Sequence, residues 1–347
     1  MSNLSVRSRI GAVFISAGLL AATGCGAPEA EQAAGEGAIS RTNCGIEVAV
    51  DGPPERIYAL YQPGIEMAHA LGVSDRLVGT AFLDAVVLPE YADAHAKVEY
   101  VPTLPSREAM LETNPDFVLS GYQNVFAEDG SNSVGTRASL RELGVQSWIF
   151  SPLCPTGDGR SDLAVDPASV DVEMVYEDLR GLGALLGVEE NAEKVIAGLK
   201  KRIAAVEQKV AGVEERPTVA IVSPREGGGY RVASGIDFGT WIIERAGGTN
   251  VFDDLSKERN MDVGVEELVK RNPDVILSDL CCDTKYTRDD ARSEVEAIMD
   301  DPALAGVTAV TEKQVHPFLF ADRAAGVRAA HSIELVASIL HPELFGE

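Results

Sequence analysis

The sequence predicts an α/β protein built as two lobes with a long helix between them. Short β-rich runs alternate with helical patterns from Arg56 onward, the alternation stops over residues 171–213, and it restarts after Pro217. Strands alternating with helices indicate βα units around a parallel sheet covered on both faces. At 347 residues, 45% hydrophobic and 24% charged, the chain is long enough for two such cores.

The N-terminus comes first in the chain and sets the address. Arg7 and Arg9 precede an apolar run from Ile10 to Ala22, too short to span a bilayer comfortably but suited to a signal-peptide core. Ala22-Thr23-Gly24-Cys25 follows, a small-residue lead to cysteine that resembles a bacterial lipobox, with Ala22 where Leu is usual. The expectation is a cleaved leader, acylation of Cys25 and anchoring to the outer side of the cell membrane. The next segment, GAPEAEQAAGEGAIS, has no large apolar residue before Ile39 and reads as a tether.

In the first lobe, RIYAL, RLVGT, DFVLS and SWIF read as buried strands, and GIEMAHALG, REAMLETN and GTRASLRELG as helices. Over 171–213, Val195, Leu199, Ile203, Val206 and Val210 recur at spacings of 4, 4, 3 and 4, one apolar stripe on a helix of about 20 residues and about 30 Å. In the second lobe TVAIVS, YRVAS, DVILSD and QVHPFLF read as strands, and a helix from about Ala325 to Leu340 closes the chain. Gly227-Gly228-Gly229 reads as a hairpin turn. The chain thus divides into a leader (1–24), a tether and lead-in (25–53), a first lobe (54–170), connecting helices (171–214) and a second lobe (215–347).

The two lobes echo one another. Glu108 opens a seven-residue amphipathic step that ends in Asn114-Pro115-Asp116 and a buried strand. Glu266 opens the same step 158 positions later, ending in Asn272-Pro273-Asp274. One such segment means only a helix stopped by proline; two suggest pseudo-twofold lobes with an equivalent glutamate on each.

Charge and motifs exclude several functions. A net charge of −24 with no Lys/Arg run argues against nucleic acid. No apolar run of about 18 residues follows the first 25, so the membrane is met through the lipid alone. Beyond Cys25 there are four cysteines, Cys44, Cys154, Cys281 and Cys282, an even number in an oxidising compartment. Three pairings are possible; the preferred one is Cys44–Cys154, with Cys281 and Cys282 a vicinal pair or free thiols. There is no G-x-S-x-G elbow, Walker loop or H-E-x-x-H, and His69, His95, His316, His331 and His341 are scattered. Neither an enzyme, a resident cofactor nor a bare-metal site is expected.

From Pro54 to Phe345 the sequence carries PERIYAL, IEMAHALGVSDRLVGTAF, both Glu-x6-Pro-Asp segments, the central helix, RAGGTNVF and GVRAAHSIELVASILHPELF. In that order they resemble the class III periplasmic binding proteins of the iron-siderophore and cobalamin family. The resemblance implies two Rossmann-like lobes joined by a rigid backbone helix, a ligand cleft between them and little movement on binding. It implies a monomer that delivers its cargo to an ABC permease with a cytoplasmic ATPase. Carried over residue by residue, the permease-docking glutamates are Glu108 and Glu266.

Ligand contacts are expected after the C-terminal ends of strands, where open α/β sheets present their crevice. In the first lobe these are Tyr61, Phe82, Tyr122 and Leu153. In the second they are Arg225, Tyr230, Phe238, Trp241, Met261, Phe320 and Arg323. Aromatic rings offer broad faces for a large chelate, and Arg225 and Arg323 point to an anionic one. The expected cargo is a ferric siderophore. Cobalamin, another corrinoid or haem is the alternative within the same role. An anchored α/β enzyme or a sensor lipoprotein is the alternative of another class.

Overall fold

The computed structural model describes residues 38–128, 130, 132–156 and 164–346. The expected leader, Cys25 and the tether up to residue 37 lie outside the described residues.

The described chain opens with an antiparallel hairpin, β1 (Ile39–Asn43) and β2 (Ile46–Val50), turning on Cys44 and Gly45, both at positive φ. Asn43 fastens it to the first sheet: its side-chain amide donates to the Ile149 carbonyl at 2.7 Å and accepts from the Ile149 amide at 2.9 Å. A disulfide joins Cys44 to Cys154, with Cα atoms 5.2 Å apart.

The first sheet contains β3 (Ile57–Leu60), β4 (Leu77–Ala81), β5 (Tyr100–Val101), β6 (Phe117–Ser120) and β7 (Gln146–Ile149), in the order β5-β4-β3-β6-β7. All its pairings are parallel. Parallel strands are covered on both faces, which explains why IYAL and FVLS are apolar without alternation and wholly buried.

Two helices follow with only Gly187 and Val188 between them. The first, Val172–Leu186, is capped by Asp171 and closed by Gly187 in left-handed conformation, φ 67°. The backbone helix, Glu189–Val210, is about 33 Å long at 1.5 Å per residue. Its buried face is Ala192, Ile196, Leu199, Ile203, Val206 and Val210. The expected stripe is correct from Leu199 onward, but Ile196 takes the core position and Val195 packs at its margin. A 3.6-residue repeat permits a step of three or four at that point, and tertiary packing decides it.

The second sheet contains β8 (Thr218–Pro224), β9 (Tyr230–Ala233), β10 (Thr249–Asn250), β11 (Asn260–Val263), β12 (Val275–Leu280) and β13 (Val315–Leu319). Its order is β11-β9-β8-β12-β13, with β10 also paired to β8. It is mixed: β8, β10, β12 and β13 run parallel, whereas β9 and β11 are antiparallel to their neighbours. The Gly227–Gly229 turn leaves no room for a crossover helix, so β9 must fold back on β8. Pro317 is tolerated because β13 is an edge strand.

Along β8, Val219 and Ile221 join one apolar cluster while Ala220 and Val222 join another, as period-two alternation requires. The first cluster is continuous from β3–β7 through both connecting helices to β8, β12 and the closing helix Ala329–Leu340. Among the described residues, no helix is long and apolar enough to cross a membrane.

Candidate ligand cleft

The residues that leave the C-terminal ends of the first sheet are Tyr61 after β3, Phe82 after β4 and Tyr122 after β6. Their rings meet: Tyr61 lies edge-on to Phe82 at 5.2 Å and to Tyr122 at 4.7 Å between centroids. The Tyr61 hydroxyl donates to Asn124 Oδ1 at 2.9 Å. Tyr61 and Phe82 both have left-handed backbone, φ 64° and 62°, which costs a residue with a side chain about 1–3 kcal/mol. That conformation ends each strand abruptly and sets the two rings side by side.

The second lobe meets these rings with charge. Arg259 precedes β11, and its guanidinium carbon is 5.2 Å from the Tyr122 ring centroid, a cation of one lobe against an aromatic of the other. Arg323 follows β13 and lies 4.5 Å from the Phe320 centroid. Asp237 holds both arginines, 3.3 Å from Arg259 Nη1 and 3.1 Å from Arg323 Nη1. Asp279 on β12 is 2.7 Å from Arg323 Nε, and Ser223 donates to its other oxygen. Burial raises the Asp279 carboxyl above its ordinary range against the pull of Arg323. Arg323 Nη2 donates to Asn260 Oδ1 at 2.7 Å. Asp237 and Asp279 thus set carboxylates against both guanidinium groups, as buried charges require.

A second seam ties the lobes beside this wall. Arg328 reaches Glu66, on the helix Tyr61–Ala70, with Nη2 at 2.5 Å and Nε at 3.1 Å, and donates to the Val86 carbonyl at 2.8 Å. Asp322 accepts from Arg328 Nη1 at 3.3 Å and from Arg288 Nε at 3.1 Å. The Val86 amide donates to the Tyr286 carbonyl at 3.0 Å, and the Asp283 amide to the Asp84 carbonyl at 3.3 Å. Burial pushes the Asp84 carboxyl up to about 7, although Arg328, Arg259 and Arg323 pull it down.

Of the residues expected to line the cleft, Tyr61, Phe82, Tyr122, Phe320 and Arg323 come together here. Met261, on β11, packs against the second-lobe core and lines a shallow hollow of about 190 Å³ with Lys257 and Asn260. The structure places the others outside this group of contacts. Leu153 is buried in the first-lobe core. Tyr230 packs in the second-lobe core, with its hydroxyl on Asp301 at 3.0 Å. Phe238 and Trp241 stack at 5.1 Å, and Trp241 borders a hollow on the side of the connecting helices with Tyr176 and Lys200. An aromatic near a strand end serves a core as readily as a cleft, and periodicity does not separate the two. Arg225 sits at the β8–β9 turn, 3.6 Å from Asp262 and 43% exposed, lining a hollow of about 540 Å³ with Glu266.

Glu108 and Glu266 are exposed, each in the first turn of its helix, Arg107–Glu112 and Val265–Arg271. The echo around them has a structural cause. Asn114 and Asn272 are both left-handed, φ 50° and 47°. Asp116 then accepts from the backbone amides of Glu55 and Arg56 just before β3, and Asp274 from the amide of Thr218 at the start of β8. Sequence reasoning missed Arg259, Asp237 and Asp279. Their one signal is that each flanks a strand or helix terminus while carrying a charge.

The profile of the family described as periplasmic binding protein matches residues 57–316. Comparison with curated protein sequences finds no match. Among solved structures, a periplasmic binding protein from Veillonella parvula is 24% identical with a TM-score of 0.74, over 88% of this chain and 98% of that one. A protein from Saccharomonospora viridis described as an ABC-type Fe3+-hydroxamate transport system is 27% identical with a TM-score of 0.66, over 89% and 99%. The periplasmic haem-binding protein RhuT from Roseiflexus is 18% identical with a TM-score of 0.62, over 84% and 99%.

Proposed function

The chain belongs to the periplasmic binding protein family, and we propose that it is the extracytoplasmic receptor of an ABC importer, capturing a ferric siderophore of the hydroxamate class. The observation that carries the cargo is the wall of Tyr61, Phe82 and Tyr122 in one lobe facing Arg259 in the other. Aromatic rings suit the apolar body of a bulky chelate, and a guanidinium suits hydroxamate oxygens with residual negative charge. The Saccharomonospora protein, described by the same chelate class, supports the choice. The chain works by binding and release, not by catalysis.

In this reading Cys25 is acylated and the segment that follows it tethers the receptor to the membrane as a monomer. Glu108 and Glu266, exposed on equivalent helices, dock on basic residues of the permease. The wall is shut in this structure, with Tyr122 4% and Arg259 5% exposed, so cargo entry requires the lobes to part there, more movement than the resemblance implies.

Equilibrium dialysis of the soluble receptor against a ferric hydroxamate, haem and cobalamin tests the cargo. Retention of the ferric hydroxamate at micromolar or tighter affinity is the expected result. Retention of haem or cobalamin alone keeps the receptor role and overturns the siderophore. Retention of none overturns both. Tryptophan fluorescence is a poor reporter, because Trp148 donates to Asp178 inside the first lobe and Trp241 faces the connecting helices.

A further inference from the structure

β12 ends at Leu280, and the next two residues are Cys281 and Cys282. They lie at the seam between the lobes, opposite Asp84. Cys281 Sγ is 3.6 Å from Asp84 Oδ1. Asp84 is 1% exposed, and its Oδ2 has no hydrogen-bond partner among the described residues. A buried carboxylate oxygen left in that state is costly and calls for an explanation. One Asp84 oxygen and the two sulfurs lie within 4.8 Å of one another. Bonded to each other, the two sulfurs cannot both ligate one ion, so the disulfide has to open before the three atoms can share it. Cys282 is exposed and opens the group to solvent.

We propose that Cys281, Cys282 and Asp84 form a redox-gated site for one soft divalent cation, bridging the two lobes. The sulfurs are joined as a disulfide here and offer no thiolate. An external dithiol opens the site: the S–S bond breaks, the dithiol is oxidised to its own disulfide, and its two protons pass to the cysteine sulfurs. The cation then displaces both thiol protons and forms two metal–sulfur bonds. The Asp84 carboxylate is its third protein ligand, and water takes the fourth position. Thiolate donors select zinc- or cadmium-like ions over magnesium or calcium. Its three ligands are not among the proposed chelate contacts, although Asp84 lies within the field of Arg259.

The test uses the full chain, reduced with a dithiol and then freed of it without air. Cadmium is added while thiolate-to-cadmium charge-transfer absorption and the thermal midpoint are followed. The expected result is one equivalent bound per reduced chain, with the absorption band and a higher midpoint, and no band from the oxidised protein. The double variant Cys281→Ser/Cys282→Ser, which keeps the other cysteines, loses the band. Asp84→Asn keeps the band but binds at least about tenfold more weakly, as loss of a ligand requires. A reduced protein without the band overturns the proposal. So does a band that survives in the double serine variant, or an unchanged affinity in Asp84→Asn.

Discussion

Arg259 and Arg225 both sit near strand ends of the second lobe, yet they meet different surroundings. Arg259 is buried against Tyr122 and Asp237, while Arg225 is exposed on a hairpin beside Asp262. Arg259→Gln is therefore expected to weaken binding of a ferric hydroxamate by about 1.5–3 kcal/mol, the size of a hydrogen bond to a charged group. Arg225→Gln is expected to leave the dissociation constant unchanged. Equilibrium dialysis of both variants checks the contrast, and equal effects would move the cation site to the hairpin. His69 carries a different prediction. Its Nδ1 is 2.8 Å from Ser74 Oγ and its Nε2 is 3.2 Å from His95 Nδ1. Burial, and then His95, lower it to about 4. Between that value and the unfolded value of about 6.5 the unfolded chain binds the extra proton. The contribution is thus complete above about pH 6.5 and is lost as the pH falls toward 4. Urea midpoints at pH 7 and 4.5 should fall less steeply in His69→Gln than in the parent. The difference is on the order of 2 kcal/mol, allowing for water near the ring.

At the scale of elements, the backbone helix shows what a periodic pattern resolves. The positions from Leu199 to Val210 are legible as one stripe, but Val195 and Ile196 are equally compatible with it by spacing. Only tertiary packing selects Ile196. Ile196→Ala should cost about 2–4 kcal/mol as a buried large-to-small change, and Val195→Ala less than about 1 kcal/mol. Chemical denaturation of the two variants distinguishes the registers. The Asn-Pro-Asp echo was legible too, though its reason was not. The asparagines supply left-handed helix ends, and the aspartates fasten the backbone ahead of β3 and β8. A side chain that ties down a strand about 60 residues away leaves no local signature.

Across the whole molecule, one apolar cluster runs from the first sheet through the connecting helices into the second. That continuity makes the helical side of the molecule stiff. Glu66 and Arg328, 262 positions apart, add a buried charge pair between the lobes. Removing one partner of such a pair strands the other, so Glu66→Gln should cost about 3 kcal/mol. Glu66→Gln/Arg328→Met should recover part of the loss, and thermal or urea unfolding of both variants measures it. Docking is also a property of the whole molecule, because two carboxylates on separate lobes fix orientation where one does not. Glu108→Ala/Glu266→Ala is expected to keep its affinity for the cargo and to lose most uptake in cells. Unchanged uptake would remove the docking role.

The sequence by itself determined the alternation of strand and helix, the long helix and the division into two lobes around sheets. These follow from hydrophobic periodicity, which is local: every third or fourth residue, or every second, reports the face its own element buries. Tertiary structure alone decided that the rings of Tyr61, Phe82 and Tyr122 meet one another, while Phe238 stacks on Trp241 and Tyr230 packs in the second-lobe core. It decided that β9 and β11 run against their neighbours, and it brought Arg259 to Tyr122 and Asp84 to Cys281. Those contacts join strand ends and loops far apart in the chain. The pattern around any one residue records that it can be buried, but not what it is buried against.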